Sequence, residues 1–123
     1  MVYLRDNESE EMYLETILVL KEEQGNVKSI DVANKLGYAK SSVSYAIAQL
    51  SNKGYVYFDD FKNIILTKEG RKKACDVYDK HRYITALLMD IGASREVAEA
   101  NACRIEHVID DEIFNLIKKR YEK

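Results

Sequence analysis

Apolar residues recur at the three- and four-residue spacing of amphipathic helices over most of the chain. Proline is absent, so the helices are expected to end at glycines, here Gly25, Gly37, Gly54 and Gly92. Three hydroxyl residues are predicted N-caps: Ser29, Thr67 and Ser94. Gly70 falls in the first turn of the fourth helix, where we expect only a mild cost. The pattern predicts six helices, at about residues 8–24, 30–36, 41–53, 68–91, 95–107 and 109–121.

Two short runs of β-branched and aromatic residues, 55–58 and 64–67, interrupt the helical pattern. The polar stretch between them predicts a β-hairpin. A hairpin directly after two short helices around a glycine turn is typical of a winged helix-turn-helix. We therefore predict a mainly α fold, with a winged helix-turn-helix of three helices and a two-stranded wing at residues 1–70, and a helical domain at residues 71–123.

Length and composition narrow the class of protein. With 123 residues, 46% of them hydrophobic, the chain suits one compact domain or two small modules. No apolar run approaches the roughly 20 residues of a membrane span, and the polar first residues do not form a signal peptide. Two cysteines cannot build a disulfide framework. These features predict a cytoplasmic protein.

The net charge of −2 hides an uneven distribution. Residues 1–24 carry seven acidic and two basic side chains, whereas residues 25–58 carry four lysines against one aspartate. The basic segment contains the third predicted helix, which begins with Lys40-Ser-Ser-Val-Ser-Tyr45. Small hydroxyls and a lysine at a helix N-terminus can meet phosphates and reach base edges in the major groove. The same pattern is typical of a solvated helix start, and three-helix modules of this shape also bind proteins.

Cys103, Glu106 and His107 stand at i, i+3 and i+4 of the fifth predicted helix. This spacing places a thiol, a carboxylate and an imidazole on one face, where they can bind a divalent metal. A buried cysteine beside a surface Glu and His pair is the alternative. Further donors lie on other helices: Met12, Glu15 and His81. A Cys/His enzyme is disfavoured because no glycine-rich oxyanion loop adjoins the pair, and structural zinc is disfavoured because a CxxC pair is missing.

Taken together, these segments resemble the diphtheria toxin repressor family of iron- and manganese-dependent repressors. The resemblance covers nearly the whole chain and rests on these segments: Glu10-Glu-Met-Tyr-Leu-Glu15, Asp31-Val-Ala33, Leu36-Gly37, Leu66-Thr67, Gly70, Lys80-His-Arg82 and Ala102-Cys-Arg-Ile-Glu-His107. It implies a homodimer that binds palindromic operators when loaded with Fe(II) or Mn(II) and represses metal-uptake genes. It implies no enzymatic activity, and the chain ends at Lys123 without the SH3-like domain of many members.

The resemblance also assigns metal ligands. Met12, Cys103, Glu106 and His107 match the main site of the iron branch. His81 matches the histidine of an ancillary site, where Glu99 replaces a second histidine and Thr85 replaces the usual glutamate. Glu15 matches a ligand of the manganese branch. Because thioether and thiol donors favour softer ions, Fe(II) is the expected metal and Mn(II) the next, with Zn(II), Co(II) and Ni(II) accepted in vitro.

For DNA, the family's contact positions fall on Ala39, Ser41 and Tyr45. Lys40, Ser42 and Ser44 are expected near the DNA backbone, and Ser29 and Lys62 are further expected DNA contacts. The dimer is expected from the apolar surface of helices five and six, at Val97, Ala98, Ile105, Val108, Ile109, Ile113, Phe114 and Ile117.

Two other functions fit the residues. One is a winged-helix regulator that responds to redox at Cys103 or to a small ligand, and the other is a metal buffer or interaction protein without DNA binding. In the metal-dependent hypothesis, the ion joins helix one to the helical domain and fixes the spacing of two recognition helices. Without metal, the acidic stretch from Glu8 to Glu15 is expected to be less ordered.

Overall fold

The predicted alternation of helices and one hairpin is present in the computed structural model, which describes the backbone of residues 6–122 and the side chains of residues 9–122. The helices are α1 (Asp6–Gln24), α2 (Ser29–Leu36), α3 (Lys40–Asn52), α4 (Lys68–Asp90), α5 (Arg95–Ile105) and α6 (Asp111–Tyr121). The strands are β1 (Val56–Phe58) and β2 (Ile64–Leu66). The prediction of a mainly α fold with a two-stranded wing is therefore confirmed.

The chain divides into two units, one reaching to Cys75 and the other beginning at Asp76, so α4 contributes to both. In the first unit, α1, α2 and α3 pack on one another, and β1 packs on α3. Their apolar faces form a core in which nine residues are almost fully buried: Leu14, Ile17, Val27, Val32, Val43, Ile47, Leu50, Val56 and Ile64. Burial of these side chains stabilises the helix-turn-helix, because each contributes about 1.5–3 kcal/mol.

The wing is an antiparallel hairpin in which Tyr57 pairs with Ile65. Its turn is organised by Asp59, whose Oδ1 accepts hydrogen bonds from the backbone N–H groups of Phe61 and Asn63, at 2.9 and 2.8 Å. These bonds lower the pKa of Asp59, with the Asn63 backbone bond the largest cause. Lys62 takes a left-handed conformation at φ 66° inside this turn. The Asp59 carboxylate therefore holds a turn that most side chains disfavour.

Three details differ from the sequence predictions. Ser29 is the first helical residue of α2 and not its cap, because Asp31 accepts the backbone N–H of Lys28 at 2.8 Å and closes that end. The fifth helix ends at Ile105, two residues earlier than expected. There the Val108 N–H donates a hydrogen bond to the Ile105 carbonyl at 3.0 Å and closes a turn.

Gly70 is the third difference, and its role is steric. A Cβ built on this residue would lie 2.8 Å from the carbonyl carbon of Tyr55, and the Tyr55 carbonyl oxygen is closer still. Thr67 caps α4 as predicted, since its Oγ1 accepts the Gly70 N–H at 3.0 Å. Thr67 also donates its backbone N–H to the Tyr55 carbonyl at 3.0 Å. Gly70 therefore permits the close approach of α4 to the chain that enters the wing.

In the second unit, α4, α5 and α6 contribute buried residues to a smaller core: Val77, Ile84, Ala98, Ala102 and Phe114. The Phe114 ring meets the Tyr83 ring edge to face at 6.0 Å. Tyr121 donates its hydroxyl to Asp90 at 3.0 Å and ties the end of α6 to the end of α4. Among the residues described, no helix is long and apolar enough to cross a membrane.

Candidate functional site

A buried carboxylate lies between two imidazoles in the second unit. Glu106 is only 1% exposed, and its Oε2 lies 2.8 Å from Nδ1 of His81 on α4. Its other oxygen, Oε1, lies 3.3 Å from Nε2 of His107. A buried carboxylate costs free energy unless a positive charge or hydrogen-bond donor balances it. The stability of this cluster of three side chains therefore depends strongly on what lies beside Glu106.

The hydrogen bond to Glu106 raises the pKa of His81 above its ordinary value, against the opposing effect of burial. The buried Glu106 carboxylate therefore favours a positive charge beside it. A divalent cation can fill that role, since carboxylate and imidazole are common ligands of first-row transition metals.

The end of α5 places two of these groups, and the interior of α4 places His81. Glu106 is the C-cap of α5, and its backbone N–H still donates to the Ala102 carbonyl at 2.9 Å. His107 follows in the turn that closes the helix, and its side chain is almost fully buried. His81 was predicted to belong to an ancillary site, yet in the second unit its imidazole directly contacts Glu106, which was predicted to belong to the main site. This contact spans 25 positions of the chain, so no local pattern could reveal it.

The other predicted donors of this unit differ in exposure. Cys103, one helical turn before Glu106, has an exposed side chain. Glu99 is exposed as well and pairs with Arg95 at 3.5 Å.

Thr85, one turn after His81 on α4, is 8% exposed, and its hydroxyl has no hydrogen-bond partner among the residues described. A buried hydroxyl without a partner, on the same helix as His81 and one turn from it, is the kind of atom that a bound ion or its water can satisfy. The residues present therefore fit a divalent metal.

The first unit holds the remaining two predicted donors on α1. Met12 and Glu15 lie one helical turn apart, and both are half-buried. The Met12 sulfur accepts a hydrogen bond from the Tyr38 hydroxyl at 3.8 Å, and its carbonyl accepts one from Thr16 at 2.8 Å. Tyr38 was not singled out from the sequence, because it lies 26 positions away in the turn of the helix-turn-helix.

The start of α3 presents the predicted DNA-contacting residues to solvent. Ala39 is the N-cap of α3, and the exposed residues that follow are Lys40, Ser41, Ser42, Ser44 and Tyr45. Tyr45 is 70% exposed, a high value for a large aromatic side chain. Of the other two predicted contacts, Lys62 is exposed in the wing turn and Ser29 is half-buried.

A groove of about 380 Å³ runs beside this face, between α1 and α3. Ser42, Tyr45 and Gln49 line it from α3. Their spacing of three and then four residues places them in one stripe, which could have identified Gln49 from the sequence. At the end of the groove, the Glu10 carboxylate pairs with Lys53 and, at 3.3 Å, with Lys73. These ion pairs attach α1 to the end of α3 and to the first part of α4.

The predicted dimer residues also divide by exposure. Val97, Val108 and Ile113 are exposed, and so is Leu116, which was not predicted. Ala98 and Phe114 are buried, so their side chains serve the core of this unit and the expectation that they form the dimer surface is corrected.

Comparison with known proteins matches the chain to two domain families, one for each half of the chain. Residues 7–62 match the iron dependent repressor N-terminal DNA binding domain, and residues 67–123 match the iron dependent repressor metal binding and dimerisation domain. Over 119 residues the chain is 34% identical to an uncharacterized HTH-type transcriptional regulator of Methanocaldococcus jannaschii, covering 95% of each protein.

Two other relatives are longer proteins. The chain is 36% identical over 104 residues to the diphtheria toxin repressor of Corynebacterium glutamicum, covering 84% of this chain and 46% of that protein. The structure of the manganese regulator SloR matches with a TM-score of 0.81 at 27% identity, covering 93% of this chain and 54% of that one. The chain thus spans about half the length of these two relatives. It belongs to the iron-dependent repressor family of metal-dependent transcriptional regulators.

Proposed function

We propose that this protein is a cytoplasmic repressor that binds palindromic operator DNA as a homodimer when it carries Fe(II), or else Mn(II), and that it controls metal-uptake genes. Residues 1–70 are the proposed DNA-binding domain and residues 71–123 the metal-binding and dimerisation domain. The observation that carries the proposal is the buried cluster of His81, Glu106 and His107, because a solvent-shielded carboxylate between two imidazoles suits a regulatory cation.

The proposed ligands are Glu106, His107 and His81, with Cys103 from the end of α5 and Met12 and Glu15 from α1. Glu99 is a weaker candidate, since it is exposed and paired with Arg95. The thioether and thiol favour Fe(II) over Mn(II). When bound, the ion supplies a positive charge that balances the Glu106 carboxylate and holds the ligating side chains in one arrangement.

The proposed DNA contacts lie at the first two turns of α3. Free backbone N–H groups at this end, together with Lys40, suit phosphates, whereas Ser41, Ser42 and Tyr45 suit base edges. Gln49 extends the same stripe by one turn, and its amide is well suited to adenine. The wing adds Lys62 as a contact to the DNA backbone.

The proposed dimer uses the exposed apolar side chains of the second unit. Val97, Val108, Ile113 and Leu116 expose apolar surface that a monomer would leave in water. A dimer places two recognition helices on one palindrome, and the metal-bound state is proposed to fix the spacing between them.

The test is a fluorescence-anisotropy titration of a palindromic duplex from the gene's upstream region, run anaerobically with chelator, Fe(II) or Mn(II). We expect tight binding only with metal, at lower Fe(II) than Mn(II). Glu106→Gln preserves side-chain size but removes the buried charge, and should weaken metal-dependent binding by more than about tenfold. Glu96→Gln, the same change at an exposed position of α5, is the matched control.

Two outcomes contradict the proposal. DNA binding that is equal with metal and with chelator indicates a winged-helix regulator with another signal. Full metal-dependent binding by Glu106→Gln shows that the buried cluster is not the regulatory site.

A further inference from the structure

Tyr38, in the turn of the helix-turn-helix, makes one contact with α2 and two with α1 within the first unit. Its backbone N–H donates to the Ala33 carbonyl at 3.2 Å, which fixes the chain just after the end of α2. Its ring meets the buried ring of Tyr13 edge to face at 6.4 Å. Its hydroxyl donates to the Met12 sulfur at 3.8 Å. The residue after Tyr38 is the N-cap of α3, where the proposed DNA contacts begin.

The hydroxyl contact is chemically unusual, because a thioether is a weak hydrogen-bond acceptor and Tyr38 is 44% exposed. The ring contact with Tyr13 directs the hydroxyl toward Met12. A sulfur that donates electron density to a metal ion becomes a poorer acceptor still. Ligation of Met12 and the Tyr38 hydrogen bond therefore oppose each other.

We propose that Tyr38 is a positioning residue that couples the Met12 sulfur to DNA binding: its hydroxyl holds the sulfur in the metal-free protein and is released to a DNA phosphate when the sulfur binds a metal. This inference rests on the proposed function, since it takes Met12 as a ligand. The released hydroxyl stands two residues before Lys40, at the end of α3 that suits phosphates.

Metal binding and DNA binding are thermodynamically linked, so removal of the Tyr38 hydroxyl should change both affinities in a predictable way. Tyr38→Phe keeps the ring and its contact with Tyr13 but leaves nothing to compete for the sulfur. Metal affinity of the free protein should rise about two- to fivefold, the effect of one weak hydrogen bond. The loaded protein should lose a similar factor in DNA affinity, whereas DNA affinity in chelator stays the same. The gain in DNA affinity caused by metal therefore shrinks, as reciprocity requires.

The experiment titrates the full chain anaerobically with Co(II), followed by its visible absorption, and then repeats the DNA titration with and without Co(II). Tyr121→Phe is the matched control, because it also removes a hydroxyl with a hydrogen bond, to Asp90, and lies outside the proposed machinery. The ¹³C-labelled methyl signal of Met12, recorded without metal, should shift in Tyr38→Phe and remain in place in Tyr121→Phe.

A double-mutant cycle with Met12→Leu identifies the route of the coupling. Tyr38→Phe should raise Co(II) affinity only when the sulfur is present. An equal rise in the Met12→Leu background, or no rise in the wild-type background, overturns the inference and leaves the proposed function intact. A wild-type chain that binds no metal overturns the proposed function, and this inference with it.

Discussion

Replacement of Gly70 by alanine should destabilise the first unit strongly. The new Cβ would lie 2.8 Å from the Tyr55 carbonyl carbon, and ordinary contact begins at 3.4 Å, so the two segments must separate by at least about 0.6 Å. Overpacking of this kind costs about 1–3 kcal/mol. The separation also strains the hydrogen bond from the Thr67 backbone N–H to the Tyr55 carbonyl, at 3.0 Å, which has a net value of about 1 kcal/mol. We expect a loss of about 3 kcal/mol in the free energy of unfolding.

Urea unfolding followed by circular dichroism measures this loss, and Gly25→Ala is the control. Gly25 has a φ of +85°, and a methyl group added there would meet no atom within 4 Å, so only backbone strain of about 1 kcal/mol opposes that change. The close approach of Tyr55 explains why position 70 requires glycine only if Gly70→Ala is clearly more destabilising than Gly25→Ala. Equal losses at the two glycines, or a smaller loss at Gly70, would refute the steric argument.

Two further predictions concern the wing and the dimer. Because hydrogen bonding in the folded state lowers the pKa of Asp59, the stability contributed by its carboxylate is present above the unfolded value near 3.8 and is lost as pH falls through the lower folded value. The protection factor of the Asn63 amide, its exchange rate compared with the intrinsic rate at the same pH, should therefore fall in acid, and Asp59→Asn should lower it already at pH 7; an unchanged protection factor in the variant contradicts the role of Asp59 in the turn. Val108→Glu should place a charge in the proposed dimer surface and shift the protein toward monomer in light scattering, whereas a fully dimeric variant would exclude Val108 from that surface.

Local pattern predicted the elements well because each helix in this chain has a periodic apolar face and a local end signal. Thr67 and Ser94 cap α4 and α5 as expected from their positions. The errors fall where two local signals compete. At α2, the Asp31 carboxylate accepts the backbone N–H of Lys28, so the helix begins at Ser29, one residue earlier than predicted, and Lys28 takes the cap position.

The site was predictable only in part, for a different reason. The residues at the end of α5 are neighbours in sequence, so their spacing suggested a metal site directly. The contacts of His81 with Glu106 and of Tyr38 with Met12 join positions 25 and 26 residues apart. Gly70 shows the same limit, because helix propensity predicted a mild cost and could not include the approach of the Tyr55 carbonyl.

A regulatory metal acts only through its different affinity for the two states of the protein, and a tenfold difference corresponds to about 1.4 kcal/mol. A single hydrogen bond is of this magnitude, so one hydroxyl that changes partner can carry a substantial share of the coupling. The Tyr38 contact with Met12 has this property, because it lies between a proposed ligand and the first turn of α3. The Glu10 pairs with Lys53 and Lys73 hold α1 on the rest of the unit, so the exchange at the sulfur need not move the whole helix. Control through one side chain therefore requires a smaller change than the ordering of the entire acidic stretch.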